Sequence, residues 1–328
     1  MVERIGTPEN DNLLGTAAAD LLIGLAGDDI LQGLEGSDEL LGGPGDDSLR
    51  GGAGRDELSG GGGADLLFGD GGADVLRGGR SADELDGGNG RDLLLGGRGD
   101  DSLLGGNGND DLRGGPGVDF LEGGAGSDRL DGGAGDDLAT YVESPEGVVV
   151  DLEAGQAVDA NGVVDELISI EGVIGSSNDD VLLGAAGDEA LLGGPGNDII
   201  EGRGGADVLF GGAGEDRFVY RDVLDGGDVI ADFDAIASAD ETAGDAVVIE
   251  DAALEGFDPD VSDVSAFFDL VDDGEDAELQ VDADGGGDDF TTLATLPGLA
   301  GATALVVSAV EIGDLTGFAV QIVAPDTA

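Results

Sequence analysis

In 328 residues the chain has no cysteine, no histidine and no lysine; its twelve basic residues are all arginine, against 74 acidic ones, for a formal net charge of −62. Each absence excludes a class of chemistry. Without cysteine there are no disulfides and no thiolate metal sites. Without histidine the commonest general base and the commonest zinc ligand are gone, and with them His-Glu-x-x-His metalloprotease sites and Ser-His-Asp triads. Without lysine there is no Ser–Lys pair and no Walker A phosphate loop. Carboxylate pairs for glycoside hydrolysis say nothing, because among 74 acids some pair always lies at a suitable distance. The chain therefore reads as a non-enzyme. With no basic patch there is no counterion release to drive binding of nucleic acid, and an anionic membrane surface is disfavoured likewise. Aromatic residues make up only 4%, too few for a large conventional core. No run of about twenty apolar residues is present to span a membrane. Met1–Thr7 lacks an apolar h-region and runs straight into repeats, so no N-terminal signal peptide is expected.

What the chain has instead is a nine-residue period. Residues 6–140 divide into fifteen units without a slip, one of them Gly42-Gly43-Pro44-Gly45-Asp46-Asp47-Ser48-Leu49-Arg50. The first position is glycine and the sixth aspartate in all fifteen, and the eighth is leucine in fourteen, from Leu13 to Leu130, with Ala139 in the last. Such a period decides the architecture before any single residue is weighed. Glycine at this density forbids a helix and imposes turns with positive φ. The x-Leu-x triplet that follows is a short strand with one inward apolar side chain. The first two units keep glycine, aspartate and leucine but lose the inner glycines, as terminal repeats do when they cap a stack.

Units this poor in apolar surface cannot fold unaided. One buried leucine is set against the ordering of nine residues. Stacked at the strand spacing of about 4.8 Å, neighbouring aspartates repel by roughly 1 kcal/mol in water and about 3.5 kcal/mol at an effective dielectric of 20. A hard cation bridging the carboxylates removes that opposition. Carboxylates and turn carbonyls are the abundant ligands here, and they suit Ca²⁺.

The unit Gly-Gly-x-Gly-x-Asp-x-Leu-x resembles the RTX nonapeptide repeat, a calcium-binding β-helix motif. The resemblance implies an all-β fold, a parallel β-roll (β-helix solenoid). Each coil would be two nonapeptides, with Ca²⁺ between same-edge turns eighteen residues apart and turn carbonyls completing the shell, in at most thirteen gaps in this run. The implied metal ligands are Asp29, Asp38, Asp47, Asp56, Asp65, Asp74, Asp83, Asp92, Asp101, Asp110, Asp119, Asp128 and Asp137. A second block of five units, 175–219, adds Asp180, Asp198, Asp207 and Asp216; Glu189 stands at the same position with a longer side chain, which sets it apart. In the last unit Phe218 replaces leucine and is positioned to plug the open end of the roll.

The domain reading is a lead-in (1–5), a first block (6–140), spacer strands (141–174), a second block (175–219) and a C-terminal region (220–328). In the spacer, Val148–Leu152 and Glu166–Gly175 read as strands of wider coils that continue the stack, a hinge between two rolls being the alternative. After Arg221 no basic residue follows. Strand-like segments recur at 228–233, 278–281, 290–296 and 318–323. Asp228–Phe233, and 279–287 with 290–296, resemble the C-terminal target domain of type I secretion substrates, here a β-rich cap. That resemblance implies a transient ABC exporter partner and an extracellular, bacterial location. The acidic stretch 282–289 opens like an EF-hand loop but lacks the terminal bidentate glutamate, so it reads as a solvated turn. The function expected is a secreted calcium-binding repeat protein folded by extracellular calcium. The alternatives are a structural or adhesive spacer and the export module of a secreted enzyme.

Overall fold

Because each unit ends in a short strand after a sharp turn, successive strands cannot pair with each other and pair instead with the strand one coil on. The computed structural model shows this arrangement and describes residues 2–222, 225–233, 244–250, 268–272, 276–281, 290–297, 299, 304–312 and 315–323. It forms two compact units, one of Met1–Tyr141 with Gly155–Gly172, the other of Val142–Ala154 with Val173–Ala328.

In the first unit, alternate strands form two parallel ladders with a register of one coil. Glu84–Gly90 pairs with Ser102–Gly108, setting Leu85 beside Leu103. In the other ladder Leu93–Arg98 pairs with Asp111–Pro116, setting Leu94 beside Leu112. The eighth-position leucines from Leu22 to Leu130, and Ala139 after them, are at most 1% exposed. The core is a column one side chain wide from each face, and the seventh and ninth positions point outward. The hairpin of Gln156–Asp159 and Val164–Ile168 is antiparallel, and its second strand joins Arg129–Ala134 in parallel. The sequence reading placed the second strand of this hairpin but not the first, whose polar Gln156 and Asp159 carry no strand signal.

The second unit repeats the plan. Val148–Asp151, Val181–Leu183, Ile199–Glu201, Arg217–Tyr220 and Ala246–Glu250 make one parallel ladder. Ala190–Pro195, Val208–Ala213, Asp228–Ile230 and Thr291–Pro297 make the other. Antiparallel strands finish both. Asp276–Val281 links Thr291–Pro297 to Phe268–Asp272, and Leu315–Val323 joins Ala246–Glu250 to Ala304–Ile312. Phe218 is fully buried but does not plug an end. A further strand lies over it in register, Phe218 beside Val247, and its ring packs against Phe233 at 6.1 Å between centroids. The acidic stretch 282–289 lies outside the described residues.

Candidate metal centre

The sixth-position aspartates stack along the turns on each edge, and each is tied to the next. In the first unit the backbone N–H of Asp29 donates to Oδ1 of Asp47 at 2.8 Å, that of Asp74 to Asp92 at 2.7 Å, and that of Asp92 to Asp110 at 2.8 Å. In the second unit Asp180 donates to Asp198 at 2.8 Å and Asp198 to Asp216 at 2.9 Å. One oxygen of each carboxylate is thereby occupied and the side chain is aimed inward along the turn. All seventeen aspartates named from the sequence sit in these ladders at 4% exposure or less.

The other oxygen is the informative one. Among the described residues, Oδ2 is buried without a hydrogen-bond partner in Asp29 and at every ninth residue from there to Asp137, and in Asp198, Asp207, Asp216 and Asp228. Native proteins pair nearly all buried polar atoms, so a column of orphaned carboxylate oxygens points to a ligand. Backbone carbonyl oxygens of the next coil lie close to several of them. The point one bond out from the Cα of Gly87, where a Cβ would sit, is 2.9 Å from Oδ2 of Asp92 and 2.7 Å from the carbonyl oxygen of Gly105, one coil on. At Gly105 the equivalent distances are 2.9 Å to Asp110 and 2.6 Å to the Gly123 carbonyl. Carboxylate and carbonyl oxygens are the donors that Ca²⁺ takes, at metal–oxygen distances of about 2.3–2.6 Å. Among the described residues no three or more His, Cys, Asp or Glu side chains group as a metal site, so backbone carbonyls would have to supply part of any donor set.

Burial without a counter-charge raises the column carboxyls from Asp38 to Asp137 above 3.8. Asp47, Asp65, Asp92, Asp119 and Asp137 are pushed up to about 6, first by desolvation and then by neighbouring aspartates. Asp74, Asp83, Asp128, Asp198 and Asp207 reach about 7 for the same reasons. Asp20 goes the other way. Burial raises it, but hydrogen bonds from Thr16 and Val2 outweigh that and hold it below the ordinary range.

Four further carboxylates extend the ladders from outside the nonapeptides. Asp128 donates to Asp165 at 2.9 Å and Asp137 to Glu171 at 3.0 Å, across 37 and 34 residues. Asp207 donates to Asp228 and Asp216 to Asp245, each at 3.0 Å, across 21 and 29 residues. The signal was present: Asp165-Glu166-Leu167, Asp228-Val229-Ile230 and Asp245-Ala246-Val247 each keep the aspartate and, two residues on, the inward apolar side chain. Glu189 occupies its column but turns both oxygens onto its own turn, taking N–H bonds from Ala185 and Gly187 at 3.1 Å each. A second, exposed ladder runs through fifth positions in the opposite direction: Asp46 N–H donates to Asp28 at 3.1 Å and Ala64 N–H to Asp46 at 2.8 Å.

Asp92→Ala removes the acceptor of the Asp74 N–H and one orphaned oxygen. In saturating calcium it is expected to lower stability by about 1–3 kcal/mol, read from the denaturant midpoint. Arg91→Ala, on the exposed neighbouring residue, is expected to stay within about 0.5 kcal/mol. Equal effects from the two would remove the basis for assigning the site to the aspartate column.

The fold and its edges define a class: a parallel β-solenoid whose turns present buried carboxylates and carbonyls to a hard cation. A family model, the RTX calcium-binding nonapeptide repeat in four copies, matches residues 5–40, 32–67, 41–76, 68–103, 104–139, 173–200 and 183–218. These matches span more than half of the chain, and the chain belongs to that family. No curated protein matches it. Among solved structures, the extracellular lipase LipA from Serratia marcescens matches 73% of this chain and 38% of its own length, at 17% identity and a TM-score of 0.24. The chain thus spans little more than a third of that lipase, and a likeness this weak supports no statement about function.

Proposed function

We propose that this chain is a secreted, non-enzymatic calcium-binding protein whose rolls form when extracellular calcium meets the ladders. The observation that carries the reading is the column of buried, unpartnered Oδ2 atoms, several of them beside a backbone carbonyl of the next coil. In calcium-poor surroundings the ionised column opposes its own burial, and the chain remains extended enough to thread an exporter. At high calcium the ions take up the orphaned oxygens, and binding energy becomes folding energy. Export by a type I ABC system, directed from the C-terminal region, fits such a chain. Among the described residues no helix is long and apolar enough to cross a membrane, and the absence of histidine, cysteine and lysine favours a role without catalysis. Far-ultraviolet circular dichroism during a calcium titration tests the proposal. A cooperative change from coil to β is the expected result, and a chain already rich in β structure in excess chelator would sink it.

A further inference from the structure

The ladder carboxylates fall into two sets. In the larger, Oδ2 is buried and unpartnered. In the smaller, the turn closes on its own carboxylate. Thr7 donates to Oδ2 of Asp11 through its N–H at 2.5 Å and its hydroxyl at 2.9 Å. Thr16 does the same to Asp20 at 2.6 and 2.8 Å. Ser176 N–H donates to Oδ2 of Asp180 at 2.6 Å and its hydroxyl to Oδ1 at 3.0 Å. Ala185 N–H donates to Oε2 of Glu189 at 3.1 Å, with no hydroxyl involved.

The backbone of the second residue of the unit separates the sets. In the open turns of the repeats it is left-handed, as at Gly43 and Gly97, each with φ of 120°. Four of these residues are not glycine: Leu25, Leu34, Asp70 and Arg203 hold φ between 67° and 88°, although a side chain is strained there. Thr7, Thr16, Ser176 and Ala185 are not left-handed, and theirs are the N–H groups that reach the carboxylate. The closed turns are also placed alike. Asp11 and Asp20 belong to the first two nonapeptides of the first block, Asp180 and Glu189 to the first two of the second.

We propose that the second residue of each nonapeptide decides whether its turn takes a calcium ion. A left-handed residue leaves the carboxylate oxygen to the cation; any other backbone brings an N–H onto that oxygen and closes the turn, so the opening coil of each block takes no calcium in its turns. The assignment rests on the calcium reading of the ladders and refines it, withdrawing Asp180 from the metal ligands while retaining the sixteen other aspartates named from the sequence. Strain at Leu25, Leu34, Asp70 and Arg203 is then offset by the ion that the open turn admits.

The test is the number of calcium ions bound per full-length chain at saturation, measured by equilibrium dialysis. Thr16→Gly and Ser176→Gly allow a left-handed residue and are each expected to add at least one ion. Gly97→Thr is expected to remove at least one. Should Gly97→Thr fail to fold, the two glycine variants, which relax the backbone, still decide. A parent chain that binds calcium while both glycine variants bind the same number overturns this assignment alone. A parent chain that binds none overturns the calcium reading on which it rests.

Discussion

Stripped of calcium by chelator at pH 7.5 and then brought to pH 5, the chain is expected to regain part of its β-sheet signal without any metal. The ladder carboxyls carry the sign. In the folded state Asp74, Asp83, Asp128, Asp198 and Asp207 titrate at about 7 and Asp47, Asp65, Asp92, Asp119 and Asp137 at about 6, against 3.8 for the unconstrained group. A carboxyl raised on folding contributes stability that is fully present below about pH 4 and is lost as pH rises through 6 to 7. Metal-free folding therefore takes up protons between pH 7 and 4, and acid favours the roll. With calcium present the same groups act in the other direction, since protons and cations compete for Oδ2, and the calcium concentration at half-saturation should rise as pH falls below 7. Circular dichroism in chelator and a calcium titration at two pH values measure both arms. A metal-free signal that stays flat or declines on acidification would show that the buried carboxyls do not control folding.

Two glycines of adjacent units, Gly54 at the fourth position and Gly62 at the third, are expected to behave very differently. Gly54 is left-handed at φ 141°, and a Cβ placed on it would coincide with the carbonyl oxygen of Gly36 in the preceding coil. Neither the strand nor the stacked carbonyl can move without breaking the ladder on both sides, so Gly54→Ala is expected to lose stability by several kcal/mol, beyond the 1–2 kcal/mol of left-handed strain alone. Gly62, eight residues later, is not left-handed and has nothing within 4 Å of its Cβ position. Gly62→Ala is expected to be neutral, or to stabilise by about 0.4–1 kcal/mol through the unfolded chain. Denaturant midpoints in saturating calcium compare the two. Equal losses would mean that the coils do not stack at the observed register.

The nine-residue phase made the repeats readable because it is a statement about space as well as sequence. Equal loops return each leucine to the core and each aspartate to the edge, so position in the unit predicts position in the roll. It was silent wherever a loop changed length. Asp165, Glu171, Asp228 and Asp245 enter the ladders after detours of 37, 34, 21 and 29 residues, and the ladder tolerates this because its register is set by hydrogen bonds between coils rather than by the chain between them. Phe218 falls under the same rule, since its partner in the covering strand, Val247, lies 29 residues on rather than eighteen. The open and closed turns were hidden in backbone angle, which a residue such as Leu25 or Arg203 does not announce.

Among the described residues of the first block, the N–H of each sixth-position aspartate from Asp29 on reaches the carboxylate of the following coil. A stack built this way has two chemically different ends, one presenting acceptors and the other donors, and one rung is a whole coil of eighteen residues. Its length is therefore quantised. Excising eighteen residues from the middle of the first block returns every rung to an equivalent partner. Excising nine keeps the leucines inside but exchanges the two outer faces beyond the cut, so such a chain can lengthen or shorten over generations in steps of one coil without redesign of its core.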